Sequence, residues 1–223
     1  ILKLENEYFC ILVNQKTGAL SSFLVKNNGC DLISEKRLEA NFRICLPLKG
    51  YAANYIDGME QTPVSISQNG NVISVVFSGM QSSKGTFSIN LSYNISLHKD
   101  YVSFNAKLTN NENNPISEFW FPRIGGIKDF GDNRDAGLAV PNYANDGRHV
   151  IRLFKNYPGN RGLGAEAAEW SADYPGMPMP WWDIYDSENN LGLYLGYHDP
   201  ICRYSTWHTY LTPNVTGEKD SWF

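Results

Sequence analysis

Two short stretches and one lone arginine carry the side chains best suited to handling a polar ligand. Pro180-Trp181-Trp182-Asp183 sets two indoles beside a carboxylate. An exposed indole offers a flat apolar face to the C–H side of a pyranose, and Asp183, Asp186 or Arg123 could hydrogen-bond its hydroxyls. Within a strand, Trp181 and Trp182 point to opposite faces, which places one in a core and the other at a surface or interface. The alternative is packing alone, with one ring in the sandwich and one against a neighbouring domain. The second stretch, His198-Asp199-Pro200, puts an imidazole at a strand end, where it could touch a sugar or move a proton. Its alternative is a turn, since Asp before Pro commonly starts one.

Other patterns exclude more than they offer. Residues 131–135 and 142–146 are rich in oxygen ligands, but neither has the spacing of an EF-hand loop, and solvated turns explain both. The glycine-rich run at 159–164 has no strand and helix around it to make a dinucleotide loop. Cys10, Cys30, Cys45 and Cys202 form no Cys-x-x-Cys pair and no zinc-like spacing with histidine. No metal and no cofactor are expected. Asn90, Asn94 and Asn214 begin glycosylation sequons, which matter only where a host glycosylates exported chains.

The elements that must position these residues are strands. From residue 86 to 97, Phe87, Ile89, Leu91, Tyr93, Ile95 and Leu97 alternate with Ser88, Asn90, Ser92, Asn94 and Ser96, giving one buried and one wet face. After the turn at 98–100 the alternation resumes through Val102, Phe104, Ala106 and Leu108, so the two runs predict a hairpin. Asn69-Gly70 is a two-residue turn signal between strands at 64–66 and 72–77. Thr17-Gly18 and Asn28-Gly29 punctuate an N-terminal hairpin, and further strands are expected at 42–46, 117–121, 182–184 and 191–197. Residues 125–180 are irregular, with one short alanine-containing helix expected at 163–170. The reading is all-β: a large antiparallel β-sandwich (a supersandwich) with long irregular loops and at most one or two short helices. One domain over residues 1–223 is expected. The abrupt ends, Ile1 and Trp222-Phe223, are read as cuts from a longer chain.

Several segments together carry a family resemblance. The opening residues 9–20, Phe-Cys-Ile-Leu-Val-Asn-Gln-Lys-Thr-Gly-Ala-Leu, have the strand, Thr-Gly turn and strand of many glycosidase supersandwiches. Glu118-Phe119-Trp120-Phe121-Pro122-Arg123-Ile124-Gly125 looks like the strand before the long loop region. Tyr174-Pro175-Gly176, the segment from Pro180 to Asp186 and Gly192-Leu193-Tyr194-Leu195-Gly196-Tyr197-His198-Asp199-Pro200 are the most specific. The chain resembles the N-terminal supersandwich domain, galactose-mutarotase-like in topology, of a family of bacterial glycoside hydrolases. That resemblance implies a C-terminal catalytic (β/α) barrel in the same polypeptide, which would supply both acidic catalytic groups. No catalytic residue is then expected on this chain.

The functional expectation is an accessory domain of a carbohydrate-active enzyme, with Trp181, Trp182, Asp183, Arg123, His198 and Asp199 as candidate carbohydrate contacts. The alternatives are a stand-alone carbohydrate-binding module and an aldose mutarotase or epimerase using His198 or His149 with Glu166 or Glu169. The expected partners are carbohydrate and the barrel. A formal net charge of −4 argues against nucleic acid or an anionic membrane surface. An extracytoplasmic (periplasmic or secreted) location is expected, its export signal already removed.

Overall fold

The structure, a computed structural model, describes residues 1–33, 36–51, 53–128, 137–139, 150–152, 168–173, 181–186, 190–198, 206–212 and 221–222. The chain divides into two compact units, Ile1–Gly126 and Ile127–Phe223.

In the first unit the strands run β1 (Leu2–Glu5), β2 (Phe9–Val13), β3 (Leu20–Val25), β4 (Cys30–Asp31), β5 (Arg43–Cys45) and β6 (Tyr55–Asp57). They continue as β7 (Ser65–Asn69), β8 (Val72–Ser82), β9 (Gly85–Leu97), β10 (Val102–Asn110) and β11 (Glu118–Trp120). Three antiparallel sheets result, ordered β1-β2-β3-β4, β10-β9-β8-β7 and β11-β5-β6. The expected hairpins form. The β7–β8 turn falls one residue later than Asn69-Gly70: Asn69 pairs Val72, so Gly70 (φ +55°) and Asn71 make the turn, and Val102 pairs Leu97 around residues 98–101.

Alternation dictates which faces are buried. All six apolar residues of β9, from Phe87 to Leu97, are buried, as are Ile73, Val75 and Phe77 on β8. The wet face of these two strands is tied by Ser74 Oγ donating to Asn94 Oδ1 (2.8 Å) and Ser78 Oγ to Asn90 Oδ1 (2.7 Å). Aromatic rings link the sheets. Phe42 meets Phe77 edge-on at 5.0 Å between centroids, Phe77 stacks on Tyr93, and Tyr93 meets Phe121 at 5.1 Å. Each fully buried side chain such as Phe42 or Ile44 contributes roughly 1.5–3 kcal/mol by leaving water. Gly18, at the tip of the β2–β3 hairpin, adopts φ +73° against that core, and the buried Tyr93 hydroxyl donates to its carbonyl at 2.9 Å.

The second unit contains β12 (Ile127–Lys128), β13 (Gly137–Ala139), β14 (Val150–Arg152), β15 (Ala168–Asp173), β16 (Trp181–Asp186), β17 (Leu191–Gly196), β18 (Thr206–Thr212) and β19 (Ser221–Trp222). Their antiparallel sheets are ordered β12-β19-β18-β15 and β14-β13-β16-β17. One expectation needs correction: the helix placed at 163–170 overlaps β15, where Ala168 pairs Leu211 and Trp170 pairs Thr209. Helix propensity is a weak prior, and a ladder of cross-strand hydrogen bonds overrides the alanines. Residues 163–167 lie outside the described residues. The described helical residues form two single 3-10 turns, Lys36–Leu38 and Gly58–Glu60.

Candidate functional site

The β16–β17 hairpin brings three of the residues singled out from sequence onto one surface. Its register pairs Trp181 with Gly196, Asp183 with Tyr194, and Tyr185 with Gly192. Positions 181, 183, 194 and 196 therefore share a face, because successive strand residues alternate sides. Leu193, one position off that row, is buried, whereas Tyr194 is 59% exposed. Tyr194 stacks on Trp181 with centroids 5.9 Å apart and ring planes at 30°. Gly196 makes room for this. A Cβ there would meet the Tyr194 hydroxyl at 3.0 Å and His198 Nε2 at 3.3 Å, so phenol and imidazole both crowd the space above the glycine.

Asp183 supplies the charge on this face. Its other cross-strand neighbour is Ala139 of β13, so small residues stand at several of the adjoining positions. Asp183 Oδ1 is buried and has no hydrogen-bond partner among the described residues. Burial alone pushes the carboxyl pKa above its ordinary value, since leaving water disfavours the charged form. Two stacked rings beside an unsatisfied acceptor can hold the apolar face of a ring-shaped ligand while accepting a hydrogen bond from its edge.

A second cluster lies on the outer face of the β11-β5-β6 sheet. Register aligns Trp120, Arg43 and Asp57 in one row and Glu118, Cys45 and Tyr55 in the next. Ile44, Ile56 and Phe119 take the alternate positions, where both isoleucines are fully buried. Asp57 Oδ2 accepts from Arg43 Nη2 at 2.9 Å, Arg43 Nε at 3.2 Å and Arg123 Nη1 at 2.9 Å. Its Oδ1 accepts from the Met59 N–H at 3.1 Å, capping the 3-10 turn that follows β6. Burial works to raise the Asp57 pKa, but the hydrogen bonds from Arg43 and Met59 and the two guanidinium charges outweigh it, so the carboxyl sits below its ordinary value. The Arg43 guanidinium carbon lies 5.3 Å from the Tyr55 ring centroid and 5.5 Å from that of Trp120. Both guanidiniums share the Asp57 carboxylate, and Glu118 accepts from Trp120 Nε1 at 2.9 Å. Such a cluster holds strands together and offers no proton to transfer.

The sequence candidates thus divide. Trp181, Asp183 and His198 gather on the second unit's hairpin, with Trp182 one residue along β16 in register with Leu195. Arg123 belongs to the first unit and is engaged with Asp57. Asp199 lies outside the described residues. So do His149 and Glu166, considered for mutarotase chemistry, and Glu169 sits in β15 opposite Tyr210. The runs at 131–135 and 142–146 that invited a calcium reading also lie outside the described residues. Among the described residues no three His, Cys, Asp or Glu cluster to hold a metal ion.

Sequence reasoning missed Tyr194 as a site residue. The signal was present: a polar stretch after Asp186 separates two apolar runs, and pairing Asp186 with Leu191 sets Tyr194 opposite Asp183. The Arg43–Asp57 pair carried no such signal.

These two antiparallel units define the class of fold, an all-β sandwich. No family model and no curated protein matches the sequence. Among solved structures, the chain is similar to a galactose mutarotase-like protein from Lactobacillus casei ATCC 334, with a TM-score of 0.60 and 14% identity, over 99% of this chain and 85% of that one. It is likewise similar to a galactose mutarotase related enzyme from Lactobacillus acidophilus, with a TM-score of 0.59 and 10% identity, over 99% and 83% of the two chains. The fold is a galactose-mutarotase-like β-sandwich.

Proposed function

We propose that this chain is the carbohydrate-engaging, non-catalytic β-sandwich of a glycoside hydrolase, working beside a catalytic (β/α) barrel of the same polypeptide, outside the cytoplasm. The observation that carries the reading is the Trp181–Tyr194 stack beside the unsatisfied Asp183 carboxylate. Aromatic faces with a nearby unpaired acceptor suit a pyranose, whose C–H face is apolar and whose rim is all hydroxyl donors and acceptors. The barrel is supported by the resemblance of residues 118–125, 174–176, 180–186 and 192–200 to the sandwich domains of such hydrolases. Mutarotation has less support. It needs an acid and a base on either side of the ring oxygen, whereas the His198 imidazole and the Asp183 carboxyl stand on one face of the same hairpin.

The test is a glycan panel probed with the purified chain, followed by titration with the best binder. Saturable binding that weakens at least about tenfold in Trp181→Ala is the expected outcome, since one ring of a two-ring platform is removed. The same preparation should neither cleave glycosidic bonds nor speed anomer exchange above buffer. A blank panel, or turnover by the chain alone, would remove the proposal.

A further inference from the structure

We infer that the β16–β17 site selects sugars bearing a free ammonium group, the 2-amino-2-deoxyhexoses, over neutral hexoses. This rests on the carbohydrate reading and specifies its ligand. Any sugar hydroxyl could satisfy the hydrogen-bonding need of Asp183 Oδ1. It would leave the Asp183 charge without an ion-pair partner among the described residues, on a face shared by the Trp181 and Tyr194 rings, Gly196 and His198. Among the described residues no lysine or arginine forms an ion pair with Asp183, and burial is the sole influence on its carboxyl. An ammonium supplies what a hydroxyl cannot. It donates a charge-assisted hydrogen bond, about twice as strong as a neutral one, and it neutralises a half-buried charge. The ring faces of Trp181 and Tyr194 add to the attraction, since each presents negative quadrupole density to a cation. Tyr194 is the direct cross-strand neighbour of Asp183, and Trp181 stacks on that same ring, so carboxylate and both rings belong to one contiguous surface. The first unit shows the contrasting arrangement, where guanidiniums of the chain itself occupy the corresponding role at Asp57.

The experiment is calorimetric titration of the purified 223-residue chain at physiological ionic strength with three hexasaccharides sharing one β-1,4 backbone. Their residues are glucosamine, N-acetylglucosamine and glucose, so only the group on C2 varies. Glucosamine hexasaccharide should bind about tenfold or more tightly than either neutral one, as a charge-assisted contact requires. Asp183→Asn, close in size and uncharged, should abolish that preference, bringing the three affinities to within about twofold of one another. Tyr194→Ala, at an exposed position, should weaken all three. Equal affinity for the three ligands overturns the inference and leaves carbohydrate binding standing. A preference that survives in Asp183→Asn also overturns it, because the attraction would then come from the chain's overall negative charge. Failure of all three to bind takes down the inference together with the reading beneath it.

Discussion

Asp57 and Asp183 are both about half-buried carboxylates on antiparallel sheets, one in each unit, and the chain treats them oppositely. Asp57 receives two guanidiniums and a backbone N–H, and its pKa falls. Asp183 receives nothing to Oδ1 among the described residues, and its pKa rises. Burial of a charged group costs several kcal/mol unless it is paired. A carboxylate that is paid for internally serves the fold, whereas one left bare must be tolerated for another reason. The difference separates a structural tie from a candidate site more sharply than residue type does, since arginine and aspartate alone suit either role.

The comparison predicts opposite responses to the same substitution. Asp57→Asn should destabilise the first unit by about 2–3 kcal/mol in urea unfolding, because Arg43 and Arg123 lose their common partner while less than a third of each side chain is exposed. Asp183→Asn should stabilise by about 1 kcal/mol at neutral pH, because a desolvated charge disappears. Acid sharpens the test. The folded pKa of Asp57 is depressed, so its contribution is present above the unfolded value near 3.8 and is lost as pH falls through the folded one. The folded pKa of Asp183 is raised, so its penalty is present above the folded value and relieved as pH falls toward the unfolded one. Both variants should therefore converge on the parent chain upon acidification, one from below and one from above. An Asp183→Asn chain less stable than the parent at neutral pH would erase the contrast. The smallest effect belongs to Tyr55→Ala, which takes one of two rings from over Arg43 and should cost about 0.5 kcal/mol at this exposed position.

Much of the architecture was legible because two-residue alternation and turn chemistry are local. The run from Phe87 to Leu97 set both the buried face and the length of β9, and Gly70 marked the β7–β8 turn, though the register places Asn69 in the strand and Asn71 in the turn. β8 extends to Ser82, past the run expected to stop at 77, because a register shift between Ser78 and Met80 breaks the alternation without ending the strand. The helix expected at 163–170 failed over Ala168–Trp170 because a partner strand some forty residues downstream decides the matter, and no local preference reports it. The same limit applied to the sites. Trp181 and Asp183 announced themselves by type, but Asp57 meets Arg123 across 66 positions of sequence, a separation that only folding bridges.

Gly18 carries a consequence beyond its turn. Its α-carbon faces the Tyr93 hydroxyl so closely that an added methyl would collide with it and would lie 2.8 Å from Val75. The β2–β3 turn thus lies against β8 and β9 at a distance that only a residue without a side chain permits. Among descendants of this sequence, exposed tip positions such as Gln15 and Lys16 can drift, whereas position 18 has no room for a side chain beside Tyr93 and Val75.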